Sequence, residues 1–136
     1  MWIPIAKPFI GEEEVESVAE VLRSGWLTQG AQVEAFEHEF AAYVGAEFAC
    51  AVSSCTTALH LALIAVGVQP GDEVVTASHS FIASANAVRY CGAVPVFVDI
   101  GDDGFNIDAD AVEDAIGERT TAILCVHQIG MPCDLT

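Results

Sequence analysis

Two stretches near the N-terminus carry apolar residues at helical spacing. Between residues 11 and 23 the apolar positions lie three to four residues apart, and a second pattern of this kind runs from about 32 to 43. Gly25 and Gly45 follow the two patterns, where glycine commonly ends a helix. The sequence therefore predicts two amphipathic helices, each ended by a glycine.

Beyond Gly45 the pattern changes to short apolar runs that alternate with helical stretches. The runs predict four strands, at 48–52, 73–77, 94–98 and 121–126. The stretches between them predict helices at 57–66, 80–90 and 108–116. Strand and helix in strict alternation are typical of an α/β fold with a doubly wound, mostly parallel sheet and right-handed crossovers.

The composition predicts that part of the apolar surface of this chain packs against a partner. Hydrophobic residues make up 53% of the 136 residues and the mean hydropathy is +0.47, yet no apolar run approaches the roughly 20 residues of a membrane span. A free-standing domain of this size should be more polar.

Only ten residues follow the last predicted strand, which leaves no room for a further crossover. We expect the N-terminal portion of a larger α/β protein.

Charge and cysteine content narrow the class of protein further. Four basic residues against 20 acidic ones give a formal charge of −16, which argues against nucleic acid and anionic membranes as partners. The five cysteines are odd in number and show no CxxC spacing, and the N-terminus does not have the pattern of a signal peptide. These features predict a reduced, cytoplasmic protein.

The strongest candidate for ligand chemistry is the stretch 53–57, of sequence SSCTT, which lies between two apolar runs. A helix that begins after a buried strand presents unpaired N–H groups at the carboxyl end of the sheet, and such groups bind phosphate. The alternative is that Ser54 or Thr56 caps the helix and binds nothing. Sequence alone leaves both interpretations open.

Other strand-end loops supply further polar and aromatic groups, at 78–81, 98–100 and 127–128. Parallel strands bring such loops to one edge, where an aromatic such as Phe81 and hydrogen-bonding groups such as His127 and Gln128 fit a phosphorylated planar ligand. Core packing is the alternative role for Phe81. The four histidines show no ligand spacing, so no metal site is predicted, and the common nucleotide-binding and hydrolase motifs are missing.

Eight segments together resemble the DegT/DnrJ/EryC1/StrS family of pyridoxal-phosphate-dependent sugar aminotransferases, which have the aspartate-aminotransferase fold (fold type I). In order, the segments are Pro4 with Lys7-Pro8, GWLTQG at 25–30, SSCTTALHLAL at 53–63, PGDEV at 70–74, SFIASANAV at 80–88, GAVPVFVDI at 92–100, NID at 106–108 and VHQIGMPCDL at 126–135. The resemblance implies a three-layer large domain with a mostly parallel sheet. It assigns 1–30 to an N-terminal arm, helix and GWLTQG loop, and 31–136 to the N-terminal part of the domain that binds pyridoxal phosphate (PLP).

The resemblance also implies roles for individual residues. Ser54, Cys55 and Thr56 match the loop that holds the cofactor phosphate, and Phe81 matches the aromatic that stacks on the pyridine ring. His127 and Gln128 belong to the same predicted cofactor set. Three residues match positions near the sugar-nucleotide site, namely Lys7, Trp26 and Thr28.

The resemblance implies an activity for the family, and it also implies that this chain lacks the catalytic lysine. The resemblance implies transfer of an amino group from an amino-acid donor to a nucleotide-linked keto-sugar, in a homodimer. The family's Schiff-base lysine lies downstream of the matched region, and Lys7 is the only lysine of this chain. We therefore expect no catalytic residue in this chain and no activity of it alone. The alternatives are a pyridoxamine-phosphate-dependent sugar dehydratase of the same family, or a non-catalytic relative that binds a sugar nucleotide or a partner chain.

Overall fold

A computed structural model describes residues 4, 6–102 and 104–135 of the chain. The described part of the predicted N-terminal arm, residues 4 and 6–10, has no regular secondary structure, while positions 1–3 and 5 lie outside the described residues. The helices are α1 (Glu12–Ser24), α2 (Ala31–Val44), α3 (Cys55–Ala65), α4 (Ala83–Tyr90) and α5 (Ala109–Ala115). The strands are β1 (Glu73–Ala77), β2 (Val94–Val98) and β3 (Thr120–Leu124), and a short 3-10 turn follows at Gln128–Gly130.

The chain divides into two compact units, Met1–Ala51 and Val52–Thr136. The division after residue 30 that the family resemblance implies stays a prediction. The first unit contains α1 and α2, and both helices end at a glycine with a left-handed backbone, Gly25 at φ 75° and Gly45 at φ 70°. Both glycine stops were predicted. Ala41 is the only side chain of the two helices that is buried, so their apolar faces are exposed.

The second unit is built on a parallel three-stranded sheet in the order β2-β1-β3. Helices cover both of its faces, because successive residues of a strand point to opposite sides. Val74 of β1 packs in a cluster with Leu63 of α3 and Val88 of α4, whereas its neighbour Val75 packs with Val112 of α5. The predicted α/β fold with helices on both sides of a parallel sheet is confirmed.

The central strand is the most deeply buried element. Val74, Val75 and Thr76 have no exposed surface, and Ala77 has 3%. The Thr76 hydroxyl is satisfied in this apolar setting because it donates a hydrogen bond of 2.9 Å to the Leu124 carbonyl of β3. The carboxyl ends of all three strands therefore meet at one edge, at loops beginning with Ser78, Asp99 and Cys125.

One predicted strand is not formed. Residues 48–52 have no regular secondary structure, although their apolar run suggested a buried strand. A strand requires a hydrogen-bonding neighbour, and among the described residues each strand of the sheet pairs only with the other named strands. Phe48 is 80% exposed, as expected for an apolar segment without a partner. Within the described residues, no helix is long and apolar enough to cross a membrane.

Candidate functional site

The N-terminus of α3 is capped by Ser54, one of the two candidates, Ser54 and Thr56, that the sequence offered. The Ser54 hydroxyl accepts a hydrogen bond of 3.1 Å from the Thr57 backbone N–H, and the Thr57 hydroxyl lies 3.0 Å from the same oxygen. Ser53 contributes a third hydroxyl, 3.3 Å from that of Thr57. The side chains of Ser54 and Thr57 therefore bond to one another and hold the first turn of the helix in shape.

Capping leaves two donors of the first turn unused. Among the described residues, no acceptor pairs with the backbone N–H of Cys55 or of Thr56. Cys55 is exposed and Thr56 is half-buried, so an anion can approach both groups. Because the helix macrodipole places partial positive charge at this end, the pair of amides suits a phosphate.

Each of the three arginines already has a hydrogen-bond partner. Arg23 pairs with Glu16 at 2.6 Å, Arg119 pairs with Glu73, and Arg89 donates to the Ala93 carbonyl at 3.3 Å. The first turn of α3 itself, which consists of Cys55, Thr56 and Thr57 after the Ser54 cap, offers an anion only neutral donors.

The loops after β1, β2 and β3 meet through side chains. The Gln128 side-chain amide donates to the His79 carbonyl at 2.5 Å, and the Gln128 backbone N–H donates to Asn106 Oδ1 at 3.0 Å. The His79 imidazole stacks on Phe105, with ring centroids 5.4 Å apart and planes inclined by 26°. The predicted convergence of strand-end loops is thus present for the loops containing His79, Asn106 and Gln128.

The other predicted cofactor residues occupy this region with different degrees of exposure. Phe81 is 77% exposed in the loop after β1, so it is an open aromatic face and not a core side chain. His127 Nδ1 accepts a hydrogen bond of 3.0 Å from the Cys133 backbone N–H, which leaves Nε2 as the ring nitrogen that carries a proton in the neutral form. Cys55 and Phe81 are both exposed, so the described residues do not enclose a ligand by themselves.

Sequence reasoning missed one residue of this loop cluster. Asn106 was noted only as part of an NID segment, yet its side chain makes three hydrogen bonds to residues 22 to 26 positions away. Such a contact between distant residues produces no periodic pattern in the sequence. The only signal was an amide side chain in a loop that follows a parallel strand.

The predicted substrate residues lie in the first unit and are described separately. Trp26 and Thr28 both line a cavity of about 430 Å³ between α1 and α2. The Trp26 indole N–H donates to the Gln29 carbonyl at 2.7 Å, and the ring packs so closely on Gly30 that an added Cβ would lie 2.6 Å from it. Lys7 is exposed and does not line this cavity.

The cysteines separate into exposed and sheltered thiols. Cys50 and Cys55 are exposed. Burial raises the pKa of the Cys91 thiol, and burial together with the neighbouring Cys133 thiol raises the pKa of Cys125. Within the part of the chain that the structure describes, no group of histidine, cysteine and carboxylate side chains is arranged to hold a metal ion.

A known protein family matches almost the whole chain. The model of the DegT/DnrJ/EryC1/StrS aminotransferase family matches residues 8–136. The spore coat polysaccharide biosynthesis protein SpsC of Bacillus subtilis (strain 168) is 49% identical over 134 residues, which cover 98% of this chain and 34% of that protein. The chain spans about a third of the length of the curated relatives it matches.

Solved structures of similar proteins have the same fold as this chain. The PLP form of Spr1654 from Streptococcus pneumoniae superposes with a TM-score of 0.92 at 39% identity, covering 97% of this chain and 34% of that one. NtdA from Bacillus subtilis, with the cofactor pyridoxamine phosphate (PMP) bound, superposes with a TM-score of 0.86 at 41% identity, covering 90% of this chain and 28% of that one. These similar chains are therefore about three times as long as the present one.

Proposed function

Because the chain belongs to the DegT/DnrJ/EryC1/StrS aminotransferase family, we propose that it forms the N-terminal part of a PLP-dependent aminotransferase. The proposed reaction moves an amino group from an amino-acid donor to a nucleotide-linked keto-sugar. Relatives with PLP and with PMP support the cofactor, and a relative named for polysaccharide biosynthesis supports the sugar. The observation that carries the proposal for this chain is the pair of unpaired N–H groups on Cys55 and Thr56.

These two amides would hold the cofactor phosphate. Ser54 and Thr57 keep the first turn of α3 in the conformation that points both N–H groups outward. Each charge-assisted hydrogen bond to a phosphate oxygen contributes about 1.5–3 kcal/mol. The donors fit a phosphate dianion because their partial positive charges add to that of the helix macrodipole.

The loops at the carboxyl ends of the strands would orient the cofactor ring. Phe81 offers an exposed aromatic face, while His127 and Gln128 lie in the loop after β3. When bound, PLP supplies the electron sink on which amino transfer depends. The role of this chain is to bind the phosphate, to restrict the ring plane and to exclude water from one side of the ring.

Substrate recognition is assigned to the first unit. Trp26 and Thr28 line a cavity whose walls are mostly apolar, and an indole held by its own N–H bond offers a rigid surface for a ring to pack on. We propose that these residues, with Lys7, contact the nucleotide-linked sugar. We further propose that the complete protein is a homodimer, since much apolar surface of α1 and α2 is exposed in the single chain. The five free cysteines support a cytoplasmic location.

Catalysis requires a group outside this chain. Lys7 is the only lysine in the sequence and it lies far in sequence from the residues that would hold the cofactor. An amino transfer needs an amine that bonds covalently to the cofactor and moves protons. We propose that the 136-residue chain binds the cofactor phosphate but does not transfer amino groups alone.

A matched pair of variants tests the phosphate site. Cys55 is the first helical residue, where proline is tolerated, and the preceding Ser54 has extended backbone angles that proline favours. Cys55→Pro therefore deletes one of the two N–H donors with little harm to the helix, and Cys55→Ala changes the side chain but keeps the donor. Binding of PMP is measured by isothermal titration calorimetry, with pyridoxamine as the ligand that lacks phosphate.

We expect Cys55→Ala to bind PMP like the parent chain and Cys55→Pro to bind it about 10- to 150-fold more weakly, the effect of losing about 1.5–3 kcal/mol. Pyridoxamine should bind weakly to all three. Equal affinities for the two variants would show that the amide does not hold the phosphate. Failure of the parent chain to bind PMP at all would contradict the proposed function of this chain.

The assignment of the reaction needs a second experiment. A version extended through the remaining length of the relatives is mixed with PLP, and its visible absorption is compared with that of the 136-residue chain. A visible band that borohydride removes, present only in the extended protein, indicates a cofactor bound to lysine and supports amino transfer. Absence of the band in both proteins would favour the dehydratase or the non-catalytic relative.

A further inference from the structure

Asn106 occupies the centre of a closed set of contacts between the three strand-end loops. Its amide N–H groups donate to the Met131 carbonyl at 3.0 Å and to the Pro132 carbonyl at 2.9 Å, and its Oδ1 accepts from the Gln128 backbone N–H at 3.0 Å. The side chain therefore uses both donors and its acceptor at once. All three bonds cross from the loop after β2 to the loop after β3.

The contacts continue from there to the loop after β1 and back. Gln128 donates through its side chain to the His79 carbonyl, and the His79 ring stacks on Phe105, the residue before Asn106. The contacts thus run from Asn106 to Gln128, from Gln128 to His79 and from His79 to Phe105, which is the chain neighbour of Asn106. We call these four residues the loop ring. A closed ring of contacts restrains each loop more than a chain of the same bonds would, because no loop can move without breaking two of them.

The backbone around Asn106 is itself fixed to the end of β2. The Gly101 N–H donates to the Asn106 carbonyl at 3.0 Å, and the Asp108 N–H donates to the Asp99 carbonyl at 3.2 Å. An isolated antiparallel bridge joins Ile100 to Ile107 across the same turn. The backbone of Asn106 is consequently fixed, and its side chain holds the 127–133 loop to the end of β2.

We propose that Asn106 is a positioning residue for the cofactor ring. It acts through the loop ring: it holds Gln128, Gln128 holds the backbone at His79, and Phe81 follows His79 by two residues. This inference rests on the proposed function for its ligand, but the contacts themselves do not depend on it. A residue that aligns the ring contacts should affect ligands that contain the pyridine ring and leave free phosphate unaffected, because phosphate is bound at α3, which the loop ring does not include.

Three variants test the proposal. Asn106→Ala removes all three side-chain bonds. Gln128→Ala removes only the bond to the His79 carbonyl and keeps the backbone N–H that Asn106 accepts. Asn86→Ala is the matched control, because Asn86 is a half-buried asparagine of α4 whose side chain makes no hydrogen bond among the described residues.

Hydrogen exchange followed by mass spectrometry reads the loops directly, on the 136-residue chain without ligand. We expect Asn106→Ala to speed exchange at least fivefold in peptides that cover 127–133 and 78–82, with β1 unchanged. Gln128→Ala should speed exchange at 78–82 more than at 127–133. If Asn106→Ala exchanges like Asn86→Ala in both loops, the loop ring does not restrain them and the proposal is overturned.

Ligand affinity separates positioning from general loss of structure. We expect Asn106→Ala to weaken PMP binding about five- to tenfold and to leave the affinity for inorganic phosphate unchanged, so that the ratio of the two affinities falls. An equal loss for both ligands, or no loss for either, would overturn the positioning role. If the parent chain binds no PMP, the proposed function fails, and the exchange measurement still decides whether Asn106 restrains the loops.

Discussion

The hydroxyl of Thr76 should stabilise the sheet by a measurable amount. Thr76 is completely buried in the central strand, and its hydroxyl donates a hydrogen bond of 2.9 Å to the Leu124 carbonyl of β3. Thr76→Val keeps the shape and the β-branched backbone preference but replaces the donor by a methyl group. The variant therefore tests one hydrogen bond with little change in packing.

The expected loss follows from two opposing contributions. Removing the donor from the buried Leu124 carbonyl costs about 1–3 kcal/mol. The extra apolar group returns about 0.8 kcal/mol. We expect Thr76→Val to lower the free energy of unfolding by about 1–2 kcal/mol, which corresponds to a urea midpoint about 1 M lower for a slope of about 1.5 kcal/mol/M.

Urea unfolding followed by far-ultraviolet circular dichroism measures the change. Thr121→Val is the matched control, because Thr121 is an exposed residue of β3, and its unfolding free energy should change by less than about 0.5 kcal/mol. Thr76→Ser keeps the hydroxyl and loses only a methyl group, so it should cost about 1 kcal/mol through packing alone. A Thr76→Val chain as stable as the Thr121→Val chain would refute the argument.

Three further outcomes follow from charge and burial. Glu14 accepts a hydrogen bond from the Gly11 N–H, which lowers the pKa of the Glu14 carboxyl. The stabilisation of α1 by this bond is therefore present above the unfolded-state pKa of Glu14, and it is lost as the pH falls through the folded-state pKa. Helical circular dichroism should decline less on acidification in Glu14→Gln, which keeps an acceptor, and an unchanged decline would contradict this role. Iodoacetamide should modify Cys55 before Cys91, whose pKa burial raises, as peptide mass spectrometry would show. Added salt should strengthen phosphate binding, because it screens repulsion from a chain of charge −16, and weaker binding in salt would indicate a basic site instead.

The helices were predictable because local patterns determine their ends. The repeat of apolar residues predicted α1 and α2, and Gly25 and Gly45 marked their stops through the left-handed backbone that glycine adopts easily. The Ser54 cap was predictable for the same reason, since a short hydroxyl side chain before an apolar helix accepts the N–H three residues on. In each case the interacting groups lie within five residues of each other.

Contacts between distant residues were not predictable in this way. The apolar run at 48–52 predicted a strand, but pairing needs a partner strand, and the sequence pattern holds no information on whether one is present. The parallel alternation of elements did predict that strand-end loops converge, as the bond from Gln128 to His79 shows. It did not single out Asn106, because a bridging amide has the same local pattern as a solvated loop asparagine.

The phosphate donors and the loop ring belong to different elements, and this separation has a thermodynamic consequence. Cys55 lies at the start of α3, whereas Asn106 lies in the loop after β2, and no hydrogen bond among the described residues connects the two. If each acts on its own part of the ligand, the losses of PMP binding free energy in Cys55→Pro and Asn106→Ala should add in the double variant within about 0.5 kcal/mol. A combined loss well below the sum would mean that the helix and the loops hold the ligand as one unit. Additivity would instead show that this chain recognises phosphate and ring independently, the phosphate at the start of α3 and the ring through contacts between three distant loops.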